Sequence, residues 1–259
     1  MIFLKRIYFV LLKYVKNCYW ILRFYPNFSL FFFKKYRRLI KPFRFLHWHG
    51  GARVFTLFID SNKFFVKIDD DFERLSNEVY WTQKLSKKYP LNFCALMDSF
   101  DLKYSKVAIY EYFKSESFDE IFLDSLALDN KKRLIIQLTE ISDILFHHQV
   151  VHRDISPGNL LVQINVKGEV AVKLIDLAYA ISRNEKSNGY LKNNAIELTL
   201  GQEWRPYLYT WDDAYSLFKV LNHVGFSENI DLAQYCKDLE LRVGRLTYVS
   251  KKTKIKSLI

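Results

Sequence analysis

An aspartate and an asparagine five residues apart are the side chains of this chain best suited to chemistry. They are Asp154 and Asn159, in the segment VVHRDISPGNLL. A carboxylate can orient a hydroxyl group and take its proton. An amide oxygen a short loop away is a ligand for a hard cation such as Mg²⁺. Together the two side chains could take a proton from a hydroxyl and bind a cation nearby, although a core histidine, a surface arginine and a helix-capping aspartate also occur together by chance.

A second aspartate ends an apolar, strand-like run. It is Asp176, in VKLIDLAYA, seventeen residues after Asn159. The segment between the two, LLVQINVKGEVAVKLID, alternates in polarity and turns at Lys167-Gly168, which predicts a hairpin. Both side chains would then leave neighbouring strands at one edge of a cleft. A turn aspartate at the end of a strand is the simpler alternative for Asp176.

Upstream, a strand lysine precedes a helix glutamate. Lys67 lies near the end of the β-branched and aromatic run KFFVKID. The following segment, DDFERLSNEVYWTQKLSKK, has the period of an amphipathic helix and carries Glu78. Glu78 is the candidate partner of Lys67 in an ion pair, and Glu73 on the same helix is an alternative. An exposed lysine and an unrelated surface glutamate are the simpler interpretation.

The order of these residues resembles that of the protein-kinase-like superfamily. The pattern H-R-D-x-x-x-x-N, here from His152 to Asn159, is the catalytic-loop motif of that family. The D-F-G position reads D-L-A and begins at Asp176. A later segment, TWDDAYSLFKVL, is similar to the helix whose buried aspartate, here Asp213, anchors the catalytic loop. Helix capping by Asp212 or Asp213 is compatible with that interpretation.

The resemblance covers roughly residues 45–225 and implies an α+β, two-lobed kinase-like fold. A small antiparallel β lobe over 45–113 would be followed by a short helical lobe over 114–259. ATP would bind between the lobes together with Mg²⁺, and the reaction would be transfer of phosphate to a hydroxyl acceptor.

The resemblance also implies a role for each candidate residue. The residues implied to act in catalysis are Asp154, Lys67, Glu78 and Arg153. Those implied to bind the nucleotide are Gly50, Gly51, Val54 and Lys67. Those implied to hold Mg²⁺ are Asn159 and Asp176. The glycine loop, HWHGGARVF, is the poorest match, because Ala52 stands where the third glycine belongs.

Two classes of acceptor fit the resemblance. No glutamate follows Pro206 in QEWRPYLYTW, and F-F-V-K replaces the family's V-A-I-K at Lys67. These features, and the segment IDLAYAISR, look more like bacterial lipopolysaccharide-core kinases, which phosphorylate heptose or Kdo hydroxyls. Asn159 and DDAYSL are closer to ordinary protein kinases. The main expectation is a sugar kinase at a membrane surface; a membrane-tethered Ser/Thr protein kinase and a non-transferring pseudokinase are alternatives.

Positive charge is concentrated near the N-terminus. The chain has a net charge of +11, and twelve basic residues precede the first acidic one, Asp60. On a helix, the basic residues up to Arg23 share one sector about 100° wide, with apolar residues around the remainder. This pattern is typical of a helix lying in an anionic membrane surface. We therefore expect residues 1–44 to bind the cytoplasmic face of a membrane peripherally.

Two alternatives exist for this extension. Its helices would otherwise pack on the kinase lobe as extra core, while nucleic-acid binding is disfavoured by the breadth of the apolar face. The longest charge-free run within residues 1–44 is ten residues and contains a proline, whereas about 20 are needed to span a bilayer. The three cysteines, Cys18, Cys94 and Cys236, are far apart. Their spacing favours a reducing compartment over disulfides or a zinc site.

Overall fold

A computed structural model describes residues 15, 22, 26–37, 44–49, 52–59, 61–116, 118, 120–165, 167–183 and 194–250. The first part of the described chain forms an antiparallel sheet of five strands in the order β1-β2-β3-β5-β4. The strands are β1 (Arg44–His49), β2 (Ala52–Ile59), β3 (Asn62–Asp69), β4 (Leu96–Leu102) and β5 (Ser105–Glu111). Two helices lie against this sheet, α1 (residues 26–36) and α2 (Phe72–Ser86).

The second part is mainly helical. Its helices are α3 (Glu120–Asp124), α4 (Leu128–His147), α5 (Asn194–Thr199), α6 (Asp213–His223) and α7 (Ile230–Glu240). Its short strands are β6 (Val150–Val151), β7 (Leu160–Ile164), β8 (Val170–Leu174), β9 (Ile181–Ser182), β10 (Thr210–Asp212) and β11 (Thr247–Val249). An antiparallel sheet followed by a helical lobe confirms the predicted α+β, kinase-like fold.

The two faces of the sheet differ in what covers them. Strand residues alternate between faces, so Val66 and Ile68 of β3 face one side while Phe65 and Lys67 face the other. On the side of Phe65, Leu75 and Val79 of α2 complete a small apolar cluster. Asp71 is the N-cap residue of α2, and its side chain accepts a hydrogen bond from the Arg74 amide at 3.1 Å. This N-cap fixes the helix directly after the strand that carries Lys67.

Helix α1 covers the opposite face of the sheet. Phe28 and Phe32 are fully buried there. Phe28 packs edge-on against Phe55 and stacks with Phe100, with ring centroids 5.9 Å and 6.1 Å away. Burial of each such ring contributes roughly 1.5–3 kcal/mol. Within the extension predicted over 1–44, residues 26–36 therefore belong to the core of the N-lobe, in keeping with the alternative of extra core.

Helix α4 runs through the centre of the helical lobe. Leu134, Leu138 and Ile141 on this helix are completely buried among residues of α6, α7 and the β7–β8 hairpin. The hairpin is antiparallel and turns through Gly168, which adopts a positive φ of 78°. The hairpin predicted from the alternating sequence is thus present. No helix in the described part of the chain is long and apolar enough to cross a membrane.

Candidate active site

A buried lysine lies between two carboxylates at the cleft. Lys67 Nζ on β3 is 2.7 Å from Glu78 Oε2 on α2 and 2.9 Å from Asp176 Oδ1. The Tyr110 hydroxyl donates to the other oxygen of Glu78 at 3.0 Å. Of the two glutamates considered from the sequence, Glu78 is the one that contacts the lysine, whereas Glu73 is exposed to solvent.

The charges of this cluster support one another. Burial disfavours the charged lysine, but the carboxylates of Asp176 and Glu78 outweigh it and raise the pKa of Lys67. Burial also raises the pKa of Glu78 to about 6, against the opposing effect of Lys67. At Asp176, burial is outweighed by Lys67, which lowers the pKa of that carboxyl. A single cation is therefore shared by two carboxylates at neutral pH.

Helix α2 is fastened to the segment that follows Asp176. Asn77 Nδ2 donates to the carbonyl oxygens of Ala178 and Ala180, each at 2.9 Å. The Arg74 guanidinium holds the buried Asp69 carboxylate through two hydrogen bonds of 2.6 Å and 2.7 Å. We did not predict these contacts from the sequence. Their only local signal is helical spacing, because Arg74 lies three residues before Asn77 and four before Glu78.

The two candidate metal ligands meet at the open end of the β7–β8 hairpin. The Ile175 amide donates to the Asn159 carbonyl oxygen at 3.0 Å, which brings Asn159 beside Asp176. Asn159 Nδ2 donates to the Asp154 carbonyl oxygen at 2.7 Å. Because the side-chain nitrogen of Asn159 makes this hydrogen bond, its side-chain oxygen is the atom that could bind a cation. An amide oxygen and a carboxylate are hard ligands, so the donor set fits Mg²⁺.

A buried aspartate holds the backbone of the loop that runs from His152 to Asn159. Asp213 accepts hydrogen bonds from the amides of His152 at 2.6 Å and Arg153 at 3.3 Å. The His152 ring donates from Nε2 to the Ile175 carbonyl at 2.9 Å and accepts the Asp154 amide at Nδ1. Burial lowers the pKa of His152 to about 4. The ring is therefore neutral, and its single proton lies on Nε2.

The neighbouring Asp212 caps helix α6. Its side chain accepts a hydrogen bond from the Tyr215 amide at 2.9 Å. The same carboxylate accepts the Gly244 amide at 2.6 Å and the Thr247 hydroxyl at 3.1 Å. The cap and the anchor considered from the sequence are therefore both present, on adjacent residues.

Arg153 contacts the segment formed by residues 194–212. Its side chain is almost fully buried, and Nε donates to the Tyr179 carbonyl at 2.8 Å. A guanidinium nitrogen lies 3.8 Å from Glu197, and the group sits 5.5 Å from the centre of the Trp211 ring. The backbone of Arg153 is left-handed, with φ of 70°. These contacts suit a residue that orders the 194–212 segment.

Asp154 contacts the same segment through a glycine. The Gly201 amide donates to Asp154 Oδ1 at 3.1 Å. Burial and the charge of Asp176 raise the pKa of Asp154 to about 6. Gly201 has φ of 58°, and an added Cβ would lie 2.8 Å from the Arg153 carbonyl oxygen. Only glycine fits there, and our sequence analysis did not single out this residue.

Of the four residues expected to bind the nucleotide, Val54 and Lys67 are among the residues that the structure describes. Val54 lies directly opposite Lys67 across the β2–β3 ladder. Phe65 is on the same strand face as Lys67 and packs near Tyr110, with ring centroids 6.4 Å apart. Gly50 and Gly51 lie outside the described residues.

Comparison with known proteins agrees with this geometry. Residues 61–201, more than half of the chain, match the family model of the protein kinase domain. The chain is also similar to the serine/threonine-protein kinase TIO of Arabidopsis thaliana, with 30% identity over 137 residues. That alignment covers 51% of this chain and 10% of the plant protein. The chain thus corresponds to about a tenth of the relative's length.

Proposed function

The chain belongs to the protein kinase family, whose members are ATP-dependent phosphotransferases, and we propose that it phosphorylates Ser or Thr hydroxyls of a protein. The similarity to a plant serine/threonine-protein kinase supports this acceptor class. The observation that carries the proposal is the hydrogen bond from Gly201 to Asp154. It ties the proposed catalytic carboxylate to an ordered 194–212 segment, which offers a surface on which a polypeptide can be aligned.

Each residue of the cleft has a proposed part in transfer. Lys67, held by Glu78, binds phosphate oxygens of ATP. Asn159 and Asp176 would hold Mg²⁺, which would supply positive charge against the phosphates. Asp154 accepts a hydrogen bond from the acceptor hydroxyl and takes its proton. The retained ion pair and metal ligands argue against the pseudokinase alternative.

The 194–212 segment has its own support in place of the missing glutamate after Pro206. The buried Arg205 guanidinium donates to the carbonyl oxygens of Glu197 at 2.8 Å and Leu198 at 2.9 Å. The Ser250 hydroxyl donates to the Glu197 carboxylate at 3.1 Å. An acceptor surface of fixed shape favours a peptide. The absence of a glutamate after Pro206 therefore no longer favours a sugar acceptor over a peptide.

The acceptor class can be tested by following the label from ATP. Purified protein with Mg²⁺ and γ-labelled ATP would be incubated in parallel with a degenerate Ser/Thr peptide library, delipidated lipopolysaccharide core, or no acceptor. We expect label on the peptides, and none in a matched Asp154→Asn reaction. Label on the oligosaccharide alone would overturn the proposal in favour of the sugar kinase. No label on either acceptor, from protein that binds nucleotide, would favour the pseudokinase.

We further propose that the outer side of α1 contributes to binding at an anionic membrane surface. Leu30 and Phe33 are 54% and 42% exposed, and the neighbouring Lys34 is exposed as well. Apolar and basic side chains side by side suit the boundary between acyl chains and head groups. Because α1 also supplies core residues, point variants are a better test than deletion of residues 1–44.

The membrane proposal can be tested with vesicles. The double variant Leu30→Gln/Phe33→Gln should co-sediment with vesicles containing anionic lipid less than the parent does, with no loss of thermal stability. Binding of the parent should decline only partly with salt, because the apolar contribution is not screened. Equal sedimentation of the parent with neutral and anionic vesicles would contradict the proposal.

A further inference from the structure

The peptide group between Leu200 and Gly201 links the proposed catalytic carboxylate to two buried donors. Its N–H lies 3.1 Å from Asp154 Oδ1. Its carbonyl oxygen accepts Trp211 Nε1 at 3.1 Å and the Arg205 guanidinium at 3.3 Å. We propose that Arg205 and Trp211 are positioning residues that act on Asp154 through this peptide group. The inference rests on the proposed role of Asp154.

The next peptide group along the chain, between Gly201 and Gln202, is held as well. The carbonyl oxygen of Gly201 accepts the backbone amides of Trp204 at 2.9 Å and Arg205 at 2.8 Å. Trp211 is buried, and the Arg205 guanidinium lies 5.5 Å from the centre of its ring. A rigid N–H that engages Oδ1 leaves Oδ2 of Asp154 for the acceptor hydroxyl. The orientation of the carboxylate is therefore set before an acceptor binds.

The donors to the Leu200 carbonyl oxygen also polarise the peptide group. A peptide group is planar and conjugated, so donors on its carbonyl oxygen polarise it and strengthen hydrogen bonding by its N–H. One of these donors is a guanidinium, and bonds to charged groups are the stronger ones. Arg205 and Trp211 thus strengthen the hydrogen bond that the Gly201 N–H makes to Asp154 Oδ1.

The variants differ in how many contacts they remove. Trp211→Phe removes the hydrogen bond from Nε1 to the Leu200 carbonyl oxygen and keeps an aromatic ring in place. The Arg205 variants also alter the hydrogen bonds of the guanidinium to the carbonyl oxygens of Glu197 and Leu198. Trp211→Phe is therefore the variant that best separates an effect on Asp154 from an effect on the 194–212 segment.

Single-turnover transfer from γ-labelled ATP to a Ser/Thr peptide tests the inference, with the nucleotide and peptide affinities of the full chain measured separately. The variants are Arg205→Gln, which removes the charge, Arg205→Lys, which keeps it without the planar fork, and Trp211→Phe, which removes the Nε1–H donor and keeps a ring. Trp211→Phe is also made in the Asp154→Asn background. Arg133→Gln is the control, because Arg133 is an exposed arginine that pairs with Glu169 on the surface.

We expect Trp211→Phe and Arg205→Gln to slow the transfer step by about tenfold, less than the ~10²-fold cost of a 1 Å misplacement at an active site. Arg205→Lys should slow it less, and the nucleotide and peptide affinities should be unchanged. In the Asp154→Asn background Trp211→Phe should have little further effect, because the two changes act on one group. Transfer at the rate of Arg133→Gln in every folded variant, or an equal loss from Trp211→Phe in the Asp154→Asn background, would overturn the inference. Parent protein that transfers phosphate to no acceptor would instead count against the proposed function on which the inference rests.

Discussion

Replacing Lys67 with methionine should make the stability of the protein fall as pH rises. The change leaves the carboxylates of Glu78 and Asp176 without the cation that lies 2.7 Å and 2.9 Å from them. Burial already raises the pKa of Glu78 to about 6 even with Lys67 beside it. Without the lysine this pKa rises further, while in the unfolded chain it returns to about 4.3. The folded variant therefore binds a proton that the unfolded variant releases.

The sign and size of the effect follow from that difference. The unfolding free energy of Lys67→Met declines from about pH 4.3 up to the raised pKa of Glu78 in the folded variant. Removing one partner of a buried ion pair costs about 3–5 kcal/mol when the other stays charged. We expect a loss of that size near pH 8 and a clearly smaller loss near pH 5. Adding Glu78→Gln should recover part of it, because glutamine is neutral and still accepts the Tyr110 hydroxyl.

Denaturant unfolding between pH 5 and pH 8.5 measures these changes. Lys103→Met is the matched control, because Lys103 is an exposed lysine in the turn between β4 and β5. The control should follow the parent at every pH. If Lys67→Met also follows the parent across this range, the Lys67–Glu78 pair is absent in solution and the reasoning fails.

Three further predictions concern the pH profile, the α1 core and the metal ligand. Phosphate transfer should fall as pH drops through about 6, the pKa of Asp154, because the protonated acid cannot take the hydroxyl proton; a flat profile of kcat/KM from pH 5 to 8 would contradict this. Phe28→Ala should lower the unfolding free energy by about 3–5 kcal/mol, and equal losses in Phe28→Ala and the exposed Phe33→Ala would argue against α1 as core. Asp176→Asn should weaken nucleotide binding, measured by titration calorimetry, more in the presence of Mg²⁺ than in EDTA. Equal weakening under both conditions would show that Asp176 does not act through the metal.

The local parts of the site could be predicted from the sequence. Asp154 and Asn159 are joined by one short loop, and a hairpin returns the chain to Asp176, so spacing alone brings the three together. Lys67 and Glu78 are eleven residues apart on a strand and the helix that follows it. Their meeting follows from that order, and the choice of Glu78 over Glu73 follows from which face of α2 meets the sheet.

Other parts depend on contacts between distant segments and left no local signal. Gly201 lies 47 residues from Asp154 in the chain, and nothing in TLGQEWRP marks that glycine as different from a turn residue. Arg205 donates to backbone carbonyl groups. Because every residue has such a group, the sequence does not show which of them the guanidinium reaches. The apolar face of α1 fits a β-sheet as well as a bilayer, because both accept Phe side chains. Composition therefore could not decide where residues 26–36 pack.

The central claim, that Asp154 takes the proton of an acceptor hydroxyl in a kinase reaction, is tested most directly by comparing Asp154→Asn with the parent. Single-turnover transfer from labelled ATP to peptide would be measured at saturating nucleotide and Mg²⁺, with nucleotide affinity determined separately. We expect transfer to slow by roughly 10²–10⁴-fold, the scale of a lost acid–base group, with nucleotide affinity nearly unchanged. Transfer by the variant at the parent's rate would contradict the account.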